Sequence, residues 1–189
     1  MTGEMRALLL TRYGGPEAAA LRTVLRPVPG AGELLVRVRA AGLNPVDFKT
    51  RVGKLKVIQR YPLPAVMGNE LAGVVEASGP GVTRFAVGDR VFARMPKAAM
   101  GAFADYAVLP ETVLAAIPPA LDFETAAGVP LAGLTALQAL RDELAVFVTV
   151  VGQIFAGLLE HEIHMRPGAP VEFFCKHQVA PSRDRPSSN

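Results

Sequence analysis

Leu34-Leu-Val-Arg-Val-Arg39 puts Val36 and Val38 on one side of an extended chain and Arg37 and Arg39 on the other. This period of two marks a strand with one face in a core and one in water. Outward from it the same rhythm runs from residue 5 to about 110, with short apolar runs broken by glycine, proline or a Gly-Asp pair. Glu70–Glu76 predicts a second strand, Gly88-Asp89 a turn into a third at Arg90–Ala93, and Ala102–Val108 a fourth. Between the first two strands, Asn44 is placed to cap and Pro45 to open a short helix that ends near Gly53. Beyond Pro118-Pro119 the text turns helical: Asp122 caps a helix over Phe123–Ala127, and a second apolar run extends from Leu131 to about Leu144. The expected class is mainly β with α (α+β).

Composition narrows the function. Of 189 residues, 50% are hydrophobic and 20% charged, the balance of a globular core and not of a disordered chain. The net charge of +3 is spread among acidic neighbours without a basic block, which argues against a nucleic-acid partner. The single cysteine, Cys175, excludes an internal disulfide and points to a reducing, cytoplasmic setting. Ala7–Leu10 is too short for the apolar core of an export signal. Leu144–Leu159 is the longest apolar stretch, but it contains Thr149 and Gln153 and is shorter than the roughly 18–20 residues of a spanning helix, so no membrane anchor is expected.

Four strings occur in order: Ala41-Gly-Leu-Asn-Pro-Val-Asp-Phe-Lys49, Gly68-Asn-Glu-Leu-Ala-Gly-Val-Val75, Val87-Gly-Asp-Arg-Val-Phe92 and Ala132-Gly-Leu-Thr-Ala136. Together they closely resemble the medium-chain dehydrogenase/reductase superfamily on its zinc-independent quinone/enone oxidoreductase branch, over residues 5 to about 144. The resemblance implies a GroES-like twisted β-barrel domain at 5–120, then a helical segment at 121–160 that would lead into a Rossmann domain. It also implies NADPH-dependent reduction of quinones or α,β-unsaturated carbonyls by hydride transfer. In place of the glycine-rich turn that would open the Rossmann domain, the chain reads Val146-Phe-Val-Thr-Val-Val-Gly-Gln-Ile-Phe-Ala-Gly157. There Gly152 and Gly157 miss the G-x-G-x-x-G spacing. The Rossmann domain is therefore expected to be largely or wholly missing, and 161–189, rich in Pro, Ser and Arg at its end, to be an irregular and partly disordered tail.

The resemblance also orders the candidate site residues. In the zinc-dependent alcohol dehydrogenases a cysteine and a histidine occupy the places of Asn44 and Asn69, and neither asparagine is a ligand type zinc favours, so no metal is expected. Without metal, reduction of a conjugated carbonyl needs a donor for the developing enolate oxygen, and the resemblance implies Lys49 as the catalytic residue, in contact with the substrate or the cofactor ribose. From its surroundings alone, Lys49 is a solvated lysine beside Arg51 and Lys54.

For the cofactor, Asn44 is either a helix cap or a contact to the nicotinamide ribose, or both. Thr135 resembles the threonine whose hydroxyl approaches the nicotinamide, with helix packing as the plain alternative. Asp47 either orients Lys49 or adds negative charge at a helix start. His161, His164, Cys175 and His177 carry enough donors for a metal, but His161-Glu-Ile-His164 is not H-E-x-x-H, and no metal site is expected there. The expected partner is a small carbonyl or quinone substrate. Two alternatives stay open: a non-catalytic module that self-associates through 144–159, and a truncated gene product.

Overall fold

A computed structural model describes residues 3–143. The apolar stretch 144–159, the tail 161–189 and the set His161, His164, Cys175 and His177 lie outside the described residues. The strands are β1 (Glu4–Leu10), β2 (Ala19–Leu25), β3 (Glu33–Ala41), β4 (Ala65–Val66), β5 (Glu70–Ser78), β6 (Arg90–Arg94), β7 (Tyr106–Pro110) and β8 (Leu114–Ala116). They form a three-stranded sheet in the order β2-β1-β4 and a five-stranded sheet in the order β7-β3-β5-β6-β8, antiparallel throughout.

Leu34–Arg39 lies within β3, whose burial departs from strict alternation. Val36 is sealed and Val38 packs on the core from a half-buried position, as expected, but Leu34 and Leu35 are both buried although adjacent. The pairing of β3 with β5 shifts register between Leu35 and Val36, and such a bulge lets neighbouring side chains both turn inward. Leu34, Val36, Leu71, Val75, Val91 and Leu109 make the centre of the core, each worth about 1.5–3 kcal/mol when fully buried.

The fourth expected strand, Ala102–Val108, begins only at Tyr106. Gly101 has φ 155°, and the chain after it pairs elsewhere: Phe103 N–H donates to the Met67 carbonyl at 2.8 Å and Leu8 N–H to the Phe103 carbonyl at 2.8 Å. Asp105 N–H then donates to Arg6, and Val38 N–H to Asp105, both at 3.0 Å. Residues 102–105 thus run between β1 and β3 and join the two sheets into a barrel-like wall. Apolar alternation records which face is buried but not which strand is the neighbour, so this boundary escaped the sequence.

The helices are α1 (Pro45–Arg51), α2 (Phe123–Ala127) and α3 (Pro130–Gln138). In α2 the Asp122 carboxylate accepts the Thr125 N–H at 2.7 Å, the expected cap. α3 starts one residue earlier than expected, at Pro130, and gives way after Gln138 to a π-helical turn, Ala139–Glu143. α2 buries Ala126 and Ala127 against the large sheet, whereas α3 buries only Pro130 completely. No described helix is long and apolar enough to cross a membrane.

Candidate functional site

Four polar side chains meet where α1, the start of β5 and the start of α3 converge. Asn44 sits at the N-cap of α1 in an extended conformation (φ −124°, ψ 157°), and Pro45, whose missing N–H costs nothing at that position, opens the helix. Three residues on, Asp47 accepts the Asn44 backbone N–H at 2.7 Å through Oδ2. The helix stops within two turns because Gly53, at φ 80°, takes a left-handed conformation that suits glycine. The Asp47 carboxylate faces inward, where its Oδ1 accepts from the Asn69 amide at 2.7 Å.

Glu70 is the other hub. Its Oε1 accepts from the Asn44 amide at 2.5 Å and its Oε2 from the Leu131 N–H at 2.6 Å. Asp47 and Glu70 each expose only 1% of their surface, so two buried carboxylates are linked through Asn44, with the donors supplied by amides. Gly42 makes room for this: a Cβ there would overlap the Glu70 carboxylate and lie 2.8 Å from the Ala127 carbonyl oxygen. Burial pushes the Asp47 carboxyl above the ordinary aspartate range, against hydrogen bonds from the Asn44 N–H, the Asn69 amide and its own backbone N–H. Tyr61, also buried, has its phenol pushed up chiefly by burial.

These residues do not suit zinc. Both asparagines present N–H groups to carboxylates, and an amide nitrogen offers a metal no lone pair of the histidine kind. Among the described residues there is no group of three or more His, Cys, Asp or Glu side chains able to hold a metal.

Lys49 lies on α1 with its side chain exposed and without a side-chain hydrogen bond or ion pair among the described residues. Asp47 does not reach it. Two residues apart on a helix, the two side chains diverge by roughly 200°. Of the two roles left open for Asp47, the structure shows the one at the helix start, in a buried form. Thr135 is exposed, and its hydroxyl donates to the Leu131 carbonyl one turn back at 2.7 Å. The network therefore includes Asn44 and the first turn of α3, while Lys49 and Thr135 stand outside it.

Sequence reasoning missed Glu70 and the structural part played by Asn69. The signal was present in Gly68-Asn69-Glu70, two polar residues at the mouth of the apolar run Leu71-Ala-Gly-Val-Val75. A carboxylate entering a buried strand needs partners. An apolar cavity of about 530 Å³ lies elsewhere, between the sheets, lined by Met5, Tyr61, Met95, Met100 and Tyr106 among others and by none of Asn44, Asp47, Lys49, Asn69 or Glu70.

Residues 30–119 match the alcohol dehydrogenase GroES-like domain. The chain is 46% identical over 133 residues to a quinone oxidoreductase of Pseudomonas aeruginosa, covering 68% of this chain and 38% of that one. It is 39% identical over 140 residues to a chloroplastic NADPH-dependent alkenal/one oxidoreductase of Arabidopsis thaliana, covering 70% and 36%. The crystal structure of a quinone oxidoreductase from Pseudomonas syringae superposes with a TM-score of 0.68 at 38% identity, covering 74% of this chain and 41% of that one. The chain thus spans about two fifths of the length of the relatives it matches. On these matches and on its own barrel-like fold, the chain carries an alcohol dehydrogenase GroES-like domain of the medium-chain dehydrogenase/reductase superfamily and, over that domain, is similar to quinone oxidoreductases.

Proposed function

We propose that residues 5–120 form the substrate-side domain of a zinc-independent, NADPH-dependent reductase of quinones or α,β-unsaturated carbonyls. The observation that carries this is the closed set Asn44–Glu70 and Asn69–Asp47, which leaves the position of the metal ligands to hydrogen-bonded amides. When bound, NADPH supplies the hydride. Lys49, exposed on α1 and without an ion partner among the described residues, donates a hydrogen bond to the substrate oxygen as negative charge gathers there. Asn44 contacts the nicotinamide ribose, and Thr135 stands at the nicotinamide edge once its hydroxyl leaves Leu131. The segment 121–160 leads toward the cofactor half, and the compartment is the cytoplasm. The name of the Arabidopsis relative supports both the cofactor and the substrate class.

The test is NADPH oxidation by the full 189-residue chain with small quinones and enones, alongside NADPH binding by fluorescence. Turnover that requires both components supports the proposal; neither turnover nor binding removes it. A second reading, a non-catalytic module that pairs with itself, is favoured by the exposed leucines on and after α3. Size-exclusion chromatography decides that one, since a monomer across concentrations contradicts it.

A further inference from the structure

We propose that Glu70 is a positioning residue which locks the Asn44 amide and ties it to the first turn of α3, so that a ligand engaging Asn44 is felt at Leu131. The consequence for cofactor binding rests on the function proposed above; the mechanical link does not. Both Glu70 oxygens act as acceptors here, and the Asn44 amide turns its nitrogen toward Oε1. The second oxygen takes the Leu131 N–H, one of the donors at the start of α3 that has no partner within the helix. A negative group there is also favoured by the helix dipole.

Both hydrogen bonds converge on a side chain that exposes only 1% of its surface, and unmade partners of a buried carboxylate are costly. Glu70 is itself fixed, as the first residue of β5, in register with Arg94 of β6 and followed by the buried Leu71. Two elements far apart in sequence, α1 and α3, are therefore joined through one side chain. A glutamine at position 70 accepts at only one end and would present N–H groups to the other donor. Glu70→Gln must release either Asn44 or Leu131.

The test uses the full chain, NMR of the Leu131 amide, and NADPH as probe. In the unmodified protein, NADPH should shift the Leu131 amide. In Glu70→Gln that shift should vanish and NADPH affinity fall by about fivefold or more, the lower edge of ordinary coupling between sites, while the remaining α3 amides and the melting temperature report an intact fold. An unchanged Leu131 response and affinity in Glu70→Gln would overturn the proposal. Should the unmodified chain bind no NADPH, the functional reading fails, and the link is judged without ligand through Asn44→Ala. That variant should speed hydrogen exchange at Leu131 about fivefold or more. Exchange at the unmodified rate would overturn the link, also in the event that Glu70→Gln does not fold.

Discussion

Leu34, Val36, Leu71 and Val91 in the five-stranded sheet expose none of their surface, whereas Leu134, Leu137 and Leu140 on and just after α3 keep 43%, 50% and 51% of theirs. The β region holds itself together by apolar burial. α3 is attached through Pro130 and through the hydrogen bond from Leu131 to Glu70, which makes a polar contact the anchor of an otherwise apolar helix. The contrast separates what stabilises the domain from what connects the candidate site to the next element of the chain.

The largest effect expected from this comparison is in the core. Leu71→Ala should cost about 2–5 kcal/mol in urea unfolding. Leu137→Ala, on the exposed face of α3, should stay within about 0.5 kcal/mol. Equal losses would break the comparison. Gly42→Ala comes next, at about 1–3 kcal/mol, because its Cβ must displace the Glu70 carboxylate or the Ala127 carbonyl. Loosening of α3, seen as faster amide exchange at Leu131, should accompany it.

A smaller effect should show in pH dependence. The folded-state pKa of Asp47 lies above its unfolded value, so the folded protein binds the extra proton. Stability from this group is therefore greatest at low pH and declines as pH rises from the ordinary aspartate value of 3.8 through the raised one. Asp47→Asn should remove that decline from a series of unfolding curves; an unchanged slope assigns the pH dependence to other groups. Smallest of all, Lys49→Met should change unfolding free energy by no more than about 0.5 kcal/mol, since the lysine is exposed and has no partner to lose among the described residues.

Much of the β region was legible because apolar alternation and turn residues state burial and chain reversal directly. The strands at 70–76 and 90–93, the helix opened by Pro45 and the Asp122 cap all lie where these signals put them. The boundary of β7 was not, since residues 102–105 continue its apolar run yet pair largely with β1, in the other sheet. In the site, Asn44 and Asp47 could be placed on α1 from spacing alone. The inward turn of Asp47 and the bridging by Glu70 depend on contacts between residues 22, 26 and 61 positions apart, for which sequence pattern carries no signal. Asp47, with both oxygens engaged, is a support for the site and not a partner for Lys49.

We propose a metal-free site in which Lys49 meets the substrate. Its most direct test is NADPH-dependent reduction of a small quinone by the full chain, measured with and without a metal chelator and compared with Lys49→Met. The prediction is a rate unaffected by chelation that drops by about 10²–10³ in the variant. Chelator-sensitive turnover, or an unchanged rate in Lys49→Met, would contradict it.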